Sequence, residues 1–508
     1  MIYIGKIIQQ TTKAIIPVRR KRRTNPLISQ KRVLTRLIRK ASFTELGFEY
    51  SFEKIIKPLT GVSIIDFQQN VPISTYEEFN ETWLQKILEG KRDITWPGRI
   101  KHFALSSGTT GSPSKRIPVS KQMIRSFQLA SLGQFNVLYK EDFPVSFYKC
   151  QVLTVGGSTK LNKIGDYFEG DLSGILRKHT ALIARNVALP GPDITQLKDF
   201  QVKVAKMVEE APKWNVGIIA GIPTWCVKVM EEIVRHHKLT SIHDIWPNLR
   251  VYVHGGVYLD PYVTRLEKLC KRPLLLLDTY LASEGYFAYQ DIPRSRGMKL
   301  LVNRGIFFEF IPFTKEYFDS KGNLIDQHFA LTIDQVVEGI DYAIVISTNS
   351  GLWRYILGDL VQFVDAKDKR IIISGRIKQT LNLCGEHLTL DNLNEAVKHV
   401  CEDLNLPHTD YTIIPRQEEQ YHEWYMEQQD GIANTKLMEL IDRKICLLND
   451  DYAYVRKHAL REPVLNYIRK DTFYNFMKSQ NKLGAQNKMP RVLNSSQTEQ
   501  WKNFVQSK

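Results

Sequence analysis

The chain has 508 residues, 43% of them apolar and 24% charged, with a formal net charge of +16. That is ordinary for a soluble globular protein long enough for more than one core. No apolar run approaches the ~18 residues of a membrane span, and because Lys6, Gln9 and Lys13 interrupt the N-terminal isoleucine pairs, a signal peptide is not expected.

The positive charge is local. Residues 1–40 hold 12 Lys and Arg and no Asp or Glu, whereas the rest of the chain has 58 basic and 54 acidic residues. A broad nucleic-acid-binding face is therefore not expected. Arg19-Arg-Lys-Arg-Arg23 reads as a solvated basic arm; a nuclear signal, an RNA patch or a membrane-surface anchor are the alternatives. Cysteines 150, 226, 270, 384, 401 and 446 form no Cys-x-x-Cys pair, which argues against zinc and disulfides and fits a reducing cytoplasm.

In chain order, Val33, Leu34, Leu37, Ile38 and Ala41 make one stripe of a helix within Lys31–Leu46, expected to dock on the main core. A second helix is expected over Glu77–Leu88, before turn signals at Gly90 and Trp96-Pro97-Gly98. Phe103–Leu105 reads as a short buried strand. It delivers Ser106-Ser-Gly-Thr-Thr-Gly-Ser-Pro-Ser-Lys115, where glycines permit tight turns, hydroxyls supply donors and Lys115 supplies a point charge. That combination suits polyphosphate; a hydroxyl-rich surface hairpin is the bland alternative. A Walker loop is excluded, because Lys115 is followed by the strand Arg116–Val119 and not by Ser or Thr. Ser120 is a plausible N-cap for a helix burying Met123, Phe127 and Ala130.

Strands then alternate with helices. Gln151–Val155, Val216–Ala220, Leu249–Val253 and Leu274–Leu277 read as strands, each ending in glycine or polar residues, with Cys226–His236 helical. This predicts a parallel-rich sheet with a ligand crevice beyond the strand ends. Lys299–Val302, Ile306–Pro312, Ala330–Ile333, Tyr342–Ser347 and Leu360–Val364 predict an antiparallel sheet or barrel-like part. After Arg370-Ile-Ile-Ile-Ser-Gly-Arg376 the pattern changes to smaller, charged β and α units, a separate compact domain.

Two further motifs stand at strand ends. In Tyr280-Leu-Ala-Ser-Glu-Gly285 the tyrosine can stack on a purine, Ser283 can donate to phosphate and Glu284 can hold magnesium. In Leu352-Trp-Arg-Tyr-Ile-Leu-Gly-Asp359 the aspartate can accept from ribose hydroxyls. Singly, Tyr280 reads more readily as core and Glu284 as a solvated loop residue, and Asp359 equally as a turn aspartate. Their order is more specific: a hydroxyl-rich loop, Gly255-Gly256 after a strand, Tyr-x-x-Ser-Glu, Tyr-x-x-Gly-Asp, then Gly-Arg before a small domain.

This series resembles the adenylate-forming superfamily of acyl-CoA synthetases, peptide-synthetase adenylation domains and luciferases. Within it the chain is most similar to the auxin-responsive acyl-acid amido synthetases, in their bacterial branch. Ser106–Gly111, Tyr280–Glu284 and Gly351–Asp359 carry the likeness, with the tail segments Tyr421-His-Glu-Trp424, Leu448-Asn-Asp-Asp-Tyr452 and Leu483-Gly-Ala-Gln-Asn-Lys-Met-Pro-Arg491. Gln486 and Asn487 depart from the family's tail pattern, and Ser283 stands for its usual threonine.

The resemblance implies an α/β fold with an adenylating domain over residues 1–378 and a small mobile α+β lid over 379–508. It implies ATP- and Mg²⁺-dependent activation of a carboxylic acid to acyl-AMP, then transfer to an amine, usually of an amino acid. Ser106, Ser107, Gly108, Thr109, Thr110 and Gly111 would cradle phosphates, with Lys115 toward the β and γ groups. Gly255, Gly256 and Ser283 would line the nucleotide, Tyr280 would face adenine, and Asp359 and Arg376 would contact ribose. Glu284 would hold Mg²⁺, Lys378 would be the hinge, and Lys488 would swing in as the final cation. Pro223, Thr224, His254 and Val257 would line the acid pocket. A CoA ligase using the same adenylate is one alternative; a non-catalytic basic protein binding nucleic acid or a membrane surface is another. A cytoplasmic monomer without a nucleic-acid partner or stable membrane insertion is expected.

Overall fold

A computed structural model describes residues 25–57, 61–106, 115–180, 187–319, 322–377, 381, 383, 386, 388–428, 436–480, 482–484 and 488–506. The basic arm up to residue 24, Ser107–Gly111 of the expected phosphate loop, Lys378, Cys384, Gln486 and Asn487 lie outside them.

Helix α1 (Pro26–Ala41) starts where Asn25 accepts hydrogen bonds from Leu27 N and Ile28 N, with proline at the first helical position. Its expected stripe, Val33, Leu34, Leu37, Ile38 and Ala41, is entirely buried. Gln30, on the same face, donates to Val302 O and Ile306 O and accepts from Phe308 N at 2.7–3.0 Å. The helix is therefore docked on the main core. The expected Glu77–Leu88 helix runs as Tyr76–Phe79, a π segment Asn80–Leu84, and Gln85–Leu88, opened by a Thr75–Glu78 capping box. The wider π turn coincides with burial of adjacent Trp83 and Leu84.

Strands β1 (His102–Ser106) and β2 (Lys115–Val119) form an antiparallel hairpin. In chain order β3 is Gln151–Val155, β4 Asn162–Ile164, β5 Tyr167–Gly170 and β6 Ala188–Leu189. They are followed by β7 (Val216–Gly221), β8 (Val251–Gly255), β9 (Leu275–Ala282), β10 (Gly285–Tyr289) and β11 (Met298–Leu300). Then come β12 (Ile306–Pro312), β13 (Asp341–Thr348), β14 (Tyr355–Asp365) and β15 (Arg370–Arg376). A four-stranded sheet has the order β2-β1-β5-β4. An eleven-stranded sheet has the order β12-β13-β14-β15-β11-β10-β9-β8-β7-β3-β6. From β6 to β9 it is parallel; from β9 to β12 it is antiparallel. The expected antiparallel part is thus the second half of the same sheet.

Two expectations need correction. Ala330–Ile333 forms no strand: Leu331 makes one bridge to Phe310, and Thr332 then turns onto Asp334 and Gln335 through its hydroxyl and amide. Leu274–Leu277 does not end the next strand, because β9 continues through Asp278-Thr-Tyr-Leu-Ala282. Polar Asp278 and Thr279 are kept in it by pairing with β8 on one side and β10 on the other.

The turn between β13 and β14 carries the Gly351–Tyr355 motif. Gly351 has φ +90°, and a Cβ there would stand 2.4 Å from Thr95 Oγ1. Arg354, also at positive φ, is fully buried. It pairs with fully buried Glu309 at 3.1 Å and donates to Gln68 O, Val71 O and His328 O at 2.8–2.9 Å. The motif arginine is therefore a structural clasp.

Beyond β15 a separate core forms around Leu381, Leu393, Ile413, Trp424, Ile441 and Tyr452. Strands β16 (Tyr411–Arg416), β17 (Tyr421–Glu427) and β18 (Val464–Ile468) make its sheet, flanked by helices that include α2 (Leu390–Asp403). The tail segments Tyr421–Trp424 and Leu448–Tyr452 meet inside it. His422, fully buried, bonds Glu386 at 3.0 Å and stacks on Tyr452, whose hydroxyl donates to Asp442. They build the small domain rather than the site.

Candidate functional site

A cavity of about 2180 Å³ lies between the carboxyl ends of the parallel strands, the antiparallel half and the small domain. Of the expected site residues that are described, it is lined by Ser106, Lys115, Tyr280, Ser283, Glu284, Asp359, Arg376 and Lys488, together with Gly255, Gly256, Thr224, His254 and Val257. Pro223 is the exception. It is buried at the first position of the helix Pro223–His236, where its fixed φ and missing N–H suit it, and it does not line the cavity.

Each wall follows from local pairing. Ser106 and Lys115 face each other as the last pair of the β1–β2 hairpin, and both line the cavity. Lys115 Nζ lies 4.8 Å above the Tyr76 ring. Asp359 and Arg376 are register partners across β14 and β15, joined by an ion pair at 2.9 Å. Tyr280 donates its hydroxyl to the other Asp359 oxygen at 2.8 Å. The Tyr280 ring is 3% exposed and edge-packed on Phe287. It is thus mainly a support for Asp359, with a narrow edge for a base. Gly358 takes φ +88°, a conformation that glycine adopts without cost.

Ser283 and Glu284 are the two-residue turn between β9 and β10. Burial pushes the Glu284 carboxyl up to about 7; the Asp359 charge adds to this, and Lys115 and Arg376 oppose it. Beside it, Ser283 Oγ is buried without a hydrogen-bond partner among the described residues. A buried carboxylate next to an orphaned hydroxyl fits a hard cation shared with phosphate oxygens. No group of three or more His, Cys, Asp or Glu forms a metal cage among the described residues, and a shared magnesium needs none.

The raised Glu284 pKa has a testable cost. Below the ordinary carboxylate value of 4.5 folded and unfolded chains both hold the proton. Between there and about 7 only the folded chain keeps it, so stability falls as pH rises, and the loss is complete above 7. Glu284→Gln should therefore stabilise the protein by about 3 kcal/mol at pH 8 and by nearly nothing at pH 4.5. Urea denaturation at the two pH values, without magnesium, measures this; equal shifts would contradict it.

On the opposite wall, Lys488 Nζ donates to Gly256 O at 2.5 Å. Burial lowers its pKa to about 7, Arg376 lowers it further, and Asp359 opposes. Gly255 leaves no room for a side chain, since a Cβ would lie 2.3 Å from Thr279 O. Before it, His254 is buried, with its pKa lowered to about 4 by that burial, and its Nδ1 stands 3.5 Å from Asp278 Oδ1. Asp278 is itself pushed up to about 7 by desolvation. Trp225 is 1% exposed and packs edge-on against Phe200, so it is mainly core, with only an edge at the cavity.

The residue patterns missed the contacts that dock the small domain. Tyr258 bonds Asp260 at 3.1 Å and Glu395 at 3.2 Å; Lys398 pairs with Asp260 at 2.8 Å. Tyr262 donates to Asp410 at 2.9 Å. Tyr258 precedes the helix Asp260–Leu269 and Tyr262 lies in its first turn, so no shared helical face and no local pattern marks them.

Three family models match in chain order: the GH3 family N-terminal domain over residues 20–184, the central domain over 299–370 and the C-terminal domain over 391–497. A jasmonoyl–L-amino acid synthetase of Oryza sativa subsp. japonica is 24% identical over 368 residues, which span 58% of this chain and 62% of that protein. An indole-3-acetic acid-amido synthetase of Arabidopsis thaliana is 21% identical, over 66% of this chain and 71% of its own length. Among solved structures, a GH3.15 acyl acid amido synthetase superposes with a TM-score of 0.76 at 17% identity, over 95% of this chain and 94% of that one. A 2-hydroxyisobutyryl-CoA ligase superposes with 0.59 at 13% identity, over 94% and 92%, which extends the shared fold to adenylate-forming ligases. With all three domain models matched in order and the same architecture found over nearly the whole chain, this protein belongs to the GH3 family.

Proposed function

We propose that the protein is an ATP-dependent ligase that joins a carboxylic acid to an amine, usually of an amino acid. A carboxylate oxygen attacks the α-phosphorus of ATP and pyrophosphate leaves. The amine nitrogen then attacks the acyl carbon, AMP leaves, and the nitrogen loses a proton. The observation that carries this reading is the convergence of Ser106, Lys115, Glu284, Asp359, Arg376 and Lys488, from five separate stretches of chain, on one cavity.

The first step brings two anions together, so cations fixed before the reaction do most of the work. Lys115 is at the hairpin end, where it meets the outer phosphates, and the hydroxyl segment beginning at Ser106 offers donors to them. Glu284, with Ser283 beside it, would hold magnesium, which when bound offsets phosphate charge. Asp359 accepts from the ribose hydroxyls. A carboxylate has about four acceptor positions; Tyr280 and Arg376 use two and leave two. Thr224, His254 and Val257 face the acid. Lys488 neutralises the phosphate–carboxylate pair as it forms. The relatives' names, synthetases of jasmonoyl and indole-3-acetic acid conjugates with amino acids, support an amino acid as the acceptor.

The five described cysteines are all free thiols, and no described helix is long and apolar enough to cross a membrane. The free thiols support a reducing compartment such as the cytoplasm. The decisive experiment is acid-dependent ATP–pyrophosphate exchange over a panel of carboxylic acids, followed by AMP release on adding amino acids or CoA. Exchange with at least one acid and release driven by an amino acid are expected. Release driven by CoA alone would make the protein a thioester-forming ligase; no exchange with any acid would end the proposal. Asp359→Ala should weaken ATP binding about ten- to hundredfold, the loss of charge-assisted hydrogen bonds. An unaltered ATP Kd by calorimetry would refute the ribose role.

A further inference from the structure

Among the described residues, four hydrogen bonds and ion pairs that cross from the large domain to the small one start from one short stretch, Gly256–Tyr262. It comprises the loop after β8 and the first turn of the helix Asp260–Leu269. Gly256 O receives Lys488, Tyr258 reaches Glu395, Asp260 holds Lys398 and Tyr262 reaches Asp410. Of these, the Tyr262 contact continues as a relay toward the lysine. Asp410 takes the Tyr262 hydroxyl proton on one oxygen at 2.9 Å and Arg491 Nη2 on the other at 2.7 Å. Arg491 also lies over the Tyr411 ring and donates to Tyr411 O at 2.9 Å. Its own carbonyl accepts from Ile413 N, and Pro490 O accepts from the Thr412 hydroxyl, both at 2.8 Å. The chain two residues before Pro490 is Lys488. On the other side, Tyr262 spends its one proton on Asp410, so the Thr224 hydroxyl at 2.8 Å is the donor to it. That leaves the Thr224 oxygen as an acceptor at the cavity wall.

We propose that Tyr262 is a positioning residue for Lys488. Through Asp410 and Arg491 its hydroxyl fixes the tail so that the lysine amine stands at Gly256 O, and through Thr224 it ties that arrangement to the acid-facing wall. The proposal rests on the adenylating reading above and assigns the relay to the first half-reaction. Tyr262 is 4% exposed, so phenylalanine replaces it without an opening to solvent. Asp410 and Arg491 both belong to the small domain and stay paired when it moves. What breaks is the Tyr262–Asp410 bond, which makes the hydroxyl specific to the arrangement seen here.

The test uses full-length Tyr262→Phe, with Asp410→Asn as a second break in the relay. Tyr258→Phe serves as a control that removes a neighbouring docking contact but leaves the relay intact. With the acid giving the strongest wild-type exchange, Tyr262→Phe and Asp410→Asn should lower the kcat of ATP–pyrophosphate exchange about tenfold with KM for ATP unchanged. The rate of amide formation from the corresponding acyl-adenylate should stay at the wild-type value. Equal losses in both half-reactions, or a loss confined to the second, would overturn the assignment. A readout independent of activity is acetic anhydride labelling of Lys488, followed by mass spectrometry. Its labelling should rise at least threefold in both relay variants and not in Tyr258→Phe. Unchanged labelling would overturn the relay even if the enzyme is inactive. Absent exchange in the wild type together with increased labelling would instead keep the relay and reject the reaction.

Discussion

Replacing Lys488 by alanine should lower acid-dependent ATP–pyrophosphate exchange by about a hundred- to a thousandfold, the range found when one preorganised donor to a developing charge is removed. ATP affinity should change by less than threefold, because the phosphate loop, Glu284 and Asp359 are untouched. The basis is geometric and electrostatic together. The amine reaches Gly256 O across the domain boundary, and burial beside Arg376 holds its pKa near 7. An anion arriving beside the amine favours its charged form. Lys488→Arg should recover little, because a planar fork cannot present one point charge to both Gly256 O and the reacting atoms. Exchange at the wild-type rate in Lys488→Ala would remove the lysine from the mechanism.

The largest stability effect is expected at Arg354. Arg354→Ala leaves the fully buried Glu309 carboxylate without its cation and removes the donor that Arg354 gives to the carbonyls of Val71 and His328. Breaking one partner of a buried pair costs about 3–5 kcal/mol. Arg354→Met combined with Glu309→Gln should cost less than the sum of the two single changes, since neither then leaves a bare charge. Urea midpoints of the large-domain transition measure both. A loss below 1 kcal/mol in Arg354→Ala would show that water reaches Glu309 and that the clasp is dispensable.

These two residues also mark how far the chain could be read before its structure. The alternation of apolar runs with Gly-rich or polar ends was enough for the parallel half of the sheet, because short apolar runs alternating with helices form the inner strands of such sheets. The α1 stripe was legible by its helical spacing. Strand β9 was cut short because Asp278 and Thr279 look like an exit from a sheet; in space they are paired on both sides, and Tyr280 finds Asp359 seventy-nine residues later. Arg354 reads as a surface cation until Glu309 is placed against it. Of the site, Glu284 and Asp359 stood out by residue type next to glycine, whereas Lys488 carried no local signal and entered only through the resemblance of the tail. Tyr262 was invisible, since its role depends on a partner in another domain.

The eleven-stranded sheet also bears on how the molecule is made. Its parallel edge is built from residues 151–282 and its far edge, Ile306–Pro312, is joined to them through Arg370–Arg376, so no early fragment contains both borders. Pairings so distant along the chain give high contact order and slow closure. During vectorial synthesis, apolar strand edges stay open until residue 376 has emerged, a period in which chaperones have something to hold. The small core after residue 381 draws on nearer neighbours and can condense later by itself. A nascent chain therefore completes its scaffold well before it acquires the residue that would set it working.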